Sequence, residues 1–313
     1  MGRRGFTEVV MTTANAARLS DFFITLGWTH KRLPVTQDSR EYFDLHQACS
    51  DNYLLTHPVE DCTVRLLEVP TDTPVWRPLD TELIVPGGLF DINMRTHRSD
   101  VAVSLLKDHG WTPLTEPLPW QFGDNSVKEF LAMQDDGVVL AVMERISPPL
   151  PGPPLEGMSD IFNATQIVQD HDRTLEFLEV LGFNTFVDFS GPLPGEGARV
   201  LNLEDYSDEE GHIRLTISHP DGLMQGSIEV ISTPHQQRST LTPINGGRRG
   251  LSDLRLPCAN IQATFSTLVD SPWVDAVHKP LKKRDLGGND GWCFAVLTPD
   301  GARLDVYEAD EVL

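Results

Sequence analysis

The chain has only four cysteines in 313 residues, Cys49, Cys62, Cys258 and Cys293. No two form a C-x-x-C pair, which excludes a zinc ribbon and a thioredoxin-like redox motif. No run approaches eighteen apolar residues, so a membrane-spanning helix is excluded. The start, Met-Gly-Arg-Arg-Gly-Phe, leads into a short Thr-rich segment and not into the long apolar stretch of a secretory signal. With free thiols and no signal, the expected compartment is the cytoplasm. Basic residues are scarce: 25 Lys and Arg stand against 46 Asp and Glu, a formal net charge of -21. A surface so acidic repels phosphate backbones and anionic lipid, so neither nucleic acid nor membrane is an expected partner. There is no Gly-x-Ser-x-Gly elbow and no cysteine with an evident base partner, which leaves nucleophilic hydrolysis without support. The run Gly287-Gly288-Asn289-Asp290-Gly291 lacks the Lys-Ser/Thr and following helix of a phosphate loop and reads as a mobile turn or lid.

What is present is a length suited to two domains and a 40 % hydrophobic content suited to packed cores. Ser147 to Gly157 reads SPPLPGPPLEG, five prolines in eleven residues. Such a segment supports neither a helix nor an inner strand and makes a semi-rigid linker. It divides the chain into an N-terminal domain, 1–146, and a C-terminal domain, 158–313, around a linker at 147–157.

The two halves repeat each other. FTEVVMTTANAARLSDFFITLGW (6–28) matches IFNATQIVQDHDRTLEFLEVLGF (161–183). Both read as a β-prone stretch, a polar turn, a helix with apolar residues three and four apart, and Leu-Gly plus an aromatic. NYLLTHPVEDCTVRLLEVP (52–70) pairs with IRLTISHPDGLMQGSIEVIST (213–233), each a hairpin opened by His-Pro. GGLFDINMRTHRSDVAVSLLKDHGW (87–111) pairs with RGLSDLRLPCANIQATFSTLVDSPW (249–273), and EFLAMQDDGVVLAVMER (129–145) with CFAVLTPDGARLDVYEA (293–309). The last two are hairpins with Asp-Gly at the turn. The chain thus reads as four units of strand, helix and further strands. A lone unit leaves one sheet face bare, so the units should pair.

This pattern resembles the vicinal oxygen chelate superfamily of glyoxalases, extradiol dioxygenases and bleomycin-resistance proteins. The closing hairpin TPDGARLDV (298–306) is similar to that family's Asp-Pro-Asp-Gly turn and final strand, and QDDGVVLAV (134–142) is a looser copy. The resemblance implies an α+β fold of four βαβββ modules paired into two cup-shaped mixed sheets, each around a small-molecule site. In metal-dependent members, ligands come from the starts of opening strands and the middles of closing strands. Carried over position by position, the opening residues are Glu8, Asp91, Asn163 and Asp253, and the closing residues are Glu68, Ala141, Glu229 and Asp305. The C-terminal cup would then gather Asn163, Glu229, Asp253 and Asp305 around one divalent ion.

No histidine falls on these eight positions. An all-oxygen set suits Mg, Mn or Ca, and the two-histidine, one-carboxylate iron site of an extradiol dioxygenase is not supplied. Strand-entry Asp also caps turns, and strand Glu also sits at exposed edges, so a metal-free cup is the alternative expectation. Glu229 and Glu68, flanked by apolar residues, are candidate catalytic bases, since a desolvated carboxyl has a raised pKa and moves protons. Trp292, Trp120 and Phe186 are candidate substrate contacts; as aromatics they also serve as core. His57 and His219 precede prolines at hairpin turns and read as surface residues, while His97 and His46 are candidate acid-base groups. Together these features point to an isomerase or lyase working by proton transfer on a small oxygen-bearing molecule. A binding or resistance-type protein is the alternative, a scaffold with decayed cups a third. The units can pair within one chain or across a homodimer.

Overall fold

The computed structural model describes residues 5–45, 49–80, 83–150, 155, 157–193, 196–203, 212–233, 247–287 and 290–309. The first unit comprises β1 (Glu8–Thr13), α1 (Ala16–Thr25), β2 (Thr29–Leu33), α2 (Gln37–Tyr42), β3 (Asn52–Thr56) and β4 (Thr63–Glu68). The second comprises β5 (Leu89–Thr96), α3 (Ser99–Asp108), β6 (Thr112–Pro113), β7 (Leu118–Phe122), β8 (Asn125–Met133) and β9 (Val139–Ser147). The third has β10 (Met158–Ile167), α4 (His171–Val180), β11 (Asn184–Pro192), α5 (Gly197–Val200), β12 (His212–His219) and β13 (Ser227–Ser232). The fourth has β14 (Gly250–Cys258), α6 (Ile261–Val269), β15 (Val277–Asp285), β16 (Asp290–Leu297) and β17 (Arg303–Glu308). The expected α+β fold of four modules in two mixed sheets is what the chain adopts.

Local chemistry explains the recurring helix. Asn15, Asp170 and Asn260 each accept a hydrogen bond from a backbone N–H in the first turn of the helix that follows. Gly27 and Gly182, both at φ +88°, end α1 and α4. Trp28 N–H donates to Phe23 O and Phe183 N–H to Leu178 O, closing the six-residue turn that a left-handed glycine permits.

The pairing of units departs from the division into halves. Among the described residues, one sheet runs β15-β16-β17-β14-β1-β4-β3-β2 and the other β11-β12-β13-β10-β5-β9-β8-β6, with β7 beside β8. The first unit therefore pairs with the fourth, through antiparallel β1 and β14, and the second with the third, through antiparallel β5 and β10. The linker joins β9 to β10, two strands separated only by β5 in the same sheet, a gap of about 10 Å. The linker separates the repeats in sequence and the sheets pair across it, all within one chain.

Alternation along β1 shows the layering. Val9 and Met11 join a large core shared by both sheets and helices α1, α3, α4 and α6, while Val10 faces the opposite way, into the first cup. In the first sheet, the segment around α2 enters the cup with Tyr42, Phe43 and Leu45. In the second, the equivalent insertion around α5 covers the cup with Ala198, Val200 and Leu203.

Candidate active site in the cup of the second and third units

Strand register decides which residues are equivalent. Two residues before each helix N-cap, the opening strand pairs in parallel with its closing strand: Thr13 with Glu68, Thr96 with Glu144, and Cys258 with Glu308. In the third unit Ile167 pairs with Ile231, one step short of the same level at Ser232. Three residues earlier on each closing strand stand Arg65, Ala141, Glu229 and Asp305. The expected match of Glu68 with Glu229 is thus corrected: the counterpart of Glu229 in the first unit is Arg65. The shared Glu-Val dipeptide aligned two different levels of the sheet. Glu68 sits outside the cup, where its carboxylate accepts from Ala16 N–H at 2.9 Å and Ser50 Oγ at 2.7 Å, capping α1. Glu144 caps α3 in the same way through Ser99.

The four expected metal ligands are also divided by the topology. Asp253 and Asp305 lie in the first sheet, Asn163 and Glu229 in the second. In the first cup the carboxylates are met by built-in cations. Arg65 Nε lies 2.6 Å from Glu8 and Arg255 Nη1 3.0 Å from it. Arg303 Nε lies 2.7 Å from Asp253 and 3.0 Å from Asp305, and its other nitrogens bind Asp44 and the Tyr42 carbonyl. Burial opposes ionisation of Glu8, yet the two guanidiniums hold its pKa down at about 2. Guanidinium groups fill the place a metal would take, so a metal does not fit this cup. The α2 segment packs Tyr42, Phe43 and Leu45 into the cup, and a cavity of about 350 Å³ remains beside Glu8, Arg65 and Arg255.

The second cup is different. β5 and β10 meet with Asn93 opposite Asn163 and Asp91 opposite Thr165, and Glu229 lies beside Thr165 on β13. Asn93 Nδ2 donates to Asp91 Oδ1 (2.9 Å), Asn163 Oδ1 (3.0 Å) and Thr165 Oγ1 (3.1 Å). Asn163 passes the chain on to Ser227 Oγ (2.7 Å), and Thr165 Oγ1 donates to Glu229 Oε1 (3.3 Å). From β8, Glu129 accepts from the indole N–H of Trp120 at 2.8 Å. Above this polar floor lies a cavity of about 190 Å³, walled by aliphatic side chains of β11, β12 and the α5 cover and reached by both Glu129 and Glu229. Glu229, half-buried, opens onto this cavity.

Three carboxyls with little compensating positive charge shift upward together. Burial, reinforced by the Asp91 charge, raises Glu129 to about 8 against the pull of the Trp120 hydrogen bond. Burial, then Asp91 and Glu129, raises Glu229 to about 8. Burial likewise raises Asp91 to about 7 although Thr165 and Asn93 bond to it. Two acids poised near neutrality in one apolar cavity can give and take a proton. For a metal the donor set is poor. Both polar ends of Asn163 are engaged, and the Asn93 amino group sits where three oxygens converge. Among the described residues no three His, Cys, Asp or Glu side chains are grouped as a metal site.

The other candidates separate clearly. Trp120 lines the second cup. Trp292 lines a different cavity, of about 350 Å³, on the first sheet. Phe186 is on the exposed side of β11 and touches neither cavity. His57 and His219 organise their turns by accepting backbone N–H groups at Nδ1, and His219 is buried, not on the surface. His97 accepts from Leu155 N–H. His46 lies outside the described residues. Glu129 is the residue that sequence reading missed. Its signal was present in Val127, Glu129 and Leu131, a carboxylate between two apolar residues on one strand face.

A scan against protein-family models finds no match, and a search of curated proteins finds none. Solved structures do match. Glyoxalase I from Zea mays superposes with a TM-score of 0.64 at 13 % identity, covering 97 % of this chain and 92 % of that one. A putative dioxygenase from Bacillus subtilis subsp. subtilis str. 168 gives 0.56 at 12 % identity, covering 98 % and 86 %. The protein is therefore of the glyoxalase/dioxygenase fold class. More particularly, it is a four-module chain with the fold of the vicinal oxygen chelate superfamily. Among the described residues no helix is long and apolar enough to cross a membrane.

Proposed function

We propose that this chain is an enzyme of the isomerase or lyase type, acting by proton transfer on a small oxygen-bearing organic molecule in the cup of the second and third units. The observation that supports the reading is the placement of Glu229 and Glu129, both with pKa near 8, on the wall of one apolar cavity. At pH 7 roughly a tenth of such a group is ionised, so one can serve as base while the other remains an acid. Ionised Glu229 takes a proton from the carbon beside a substrate carbonyl. Protonated Glu129 gives its proton to the carbonyl oxygen, leaving an enol. Where that carbon carries a hydroxyl, Glu229 returns its proton to the former carbonyl carbon while Glu129 takes the proton of the second hydroxyl, and the new carbonyl completes an isomerisation; where the next carbon carries a leaving group, Glu129 takes back the enol proton, the carbonyl re-forms and the group departs with its electron pair and the proton held by Glu229, completing an elimination. Asn93, Asn163 and Thr165 hold Glu229 and its surroundings in register. Gly197, Val200 and Leu201 around α5 form part of the cavity wall.

The test is deuterium exchange. Small aldehydes, ketones and 2-oxo acids in D2O, followed by NMR, should show enzyme-dependent exchange at carbons next to the carbonyl. Glu229→Gln should reduce it by a factor of about 10² or more. Full retention of activity in that variant removes the proposal.

A second reading, a binding protein without turnover, is favoured by Ala141, which leaves one closing position of this cup without a polar group. Saturable binding with no exchange in wild type would establish it.

A further inference from the structure

Two cations in the same cavity are not used by the proton transfer. Arg95 on β5 and Arg145 on β9 both line it. Neither forms an ion pair within 4.0 Å among the described residues, although the chain carries a net charge of -21. They are close enough for the charge of Arg145 to disfavour that of Arg95. Arg145 Nη1 donates to Asn125 Oδ1 at 2.6 Å, but its buried Nε has no hydrogen-bond partner. The Arg95 guanidinium is set over the Phe162 ring, 3.8 Å from its centroid, which fixes its plane. The Asp160 carboxylate favours the charge of Arg95 from beyond ion-pair distance, while it accepts a hydrogen bond from Gln225. Two neighbouring guanidiniums, one with an orphaned buried N–H, are costly where the counter-charge is limited to Asp160 beside one of them.

We infer that this pair holds the carboxylate of the substrate, so that the molecule taken up is a small, mostly apolar organic acid bound with its charged end between Arg95 and Arg145. The inference rests on the cup being the reaction site. A guanidinium fork matches the planar carboxylate, and the aliphatic walls receive the rest of the molecule. Register sets the reach: Arg95 pairs with Met143, and Met143 with Glu129. Arg95 and Glu129 are thus level and two strands apart, about 10 Å at the usual spacing. An acid anchored at its carboxylate therefore presents its second to fourth carbons to the two glutamates.

The experiment compares three probes by titration calorimetry: 4-methyl-2-oxopentanoate, the uncharged ketone 4-methyl-2-pentanone, and inorganic phosphate. Wild type should bind the oxo acid at least tenfold more tightly than the ketone, and phosphate should not compete at equal concentration. Arg145→Met and Arg145→Gln should lose that discrimination while binding the ketone unchanged, with unchanged thermal midpoints without ligand showing that they fold. Glu229→Gln should keep the discrimination and lose deuterium exchange. Equal binding of acid and ketone, failure of the acid to bind, effective competition by phosphate, or discrimination surviving in both Arg145 variants each overturns the inference. Discrimination without exchange in wild type leaves the anion site standing and removes the proton-transfer reading instead.

Discussion

Replacing Glu229 by Gln should make the protein more stable at pH 8 and less dependent on pH, the reverse of what loss of a buried polar contact would do. In the folded state this carboxyl is raised to about 8 from the ordinary 4.5. Between those values the native state holds a proton that the unfolded chain releases, so stability falls as pH rises through this window. Fully developed, one such proton is worth about 1.4 kcal/mol per pH unit. From pH 5.5 to 7 the variant should therefore lose about 2 kcal/mol less than wild type. The amide keeps the Thr165 hydrogen bond, so little is forfeited at pH 5. Glu129 and Asp91 act with the same sign, and Asp253 does so in the other sheet, where burial raises its pKa despite Arg303. His171 is depressed to about 4 by burial and so adds stability as pH rises from 4 to 6.5. Both proteins share those terms, and the difference between them isolates Glu229, together with the relief of Glu129. Urea denaturation at half-unit pH steps reads it directly. Parallel curves for the two proteins, or a variant that is less stable at pH 8, would refute the buried-acid account.

Glu68→Ala should cost about 1 kcal/mol through loss of the α1 cap, seen as a lower thermal midpoint, with ligand binding in the second cup unchanged. Arg303→Met should be severe, about 3–5 kcal/mol in denaturant, because it strands Asp253 and Asp305 in the interior. Millimolar Mg, Mn or Ca should leave the thermal midpoint unmoved. A midpoint rise with the logarithm of metal concentration would show a site that the occupied donors of Asn163 and Asn93 do not provide.

The folding unit was legible because its signals are local. A polar N-cap, an apolar stripe and Leu-Gly recur at fixed spacing, and each acts within one helical turn. The opening positions Glu8, Asp91, Asn163 and Asp253 were carried over from the family resemblance, and each lies seven residues before a helix N-cap. The closing positions did not follow as safely. Between helix and closing strand lie insertions of unequal length, including α2 and α5, so the Glu-Val match drew Glu68 into a level that Arg65 occupies.

Residue order alone determined that there are four modules, that the chain is acidic, and that no histidine stands at the eight carried-over positions. It could not decide which modules share a sheet. That depends on which strand edges meet, β1 with β14 and β5 with β10, a matter of contacts in space. The same holds for charge. Glu8 and Glu229 read alike as strand carboxylates, yet one is ionised by Arg255 and Arg65 and the other is kept mostly neutral by burial, reinforced by Asp91 and Glu129. A pKa belongs to a neighbourhood, and that neighbourhood exists only once distant strands have come together.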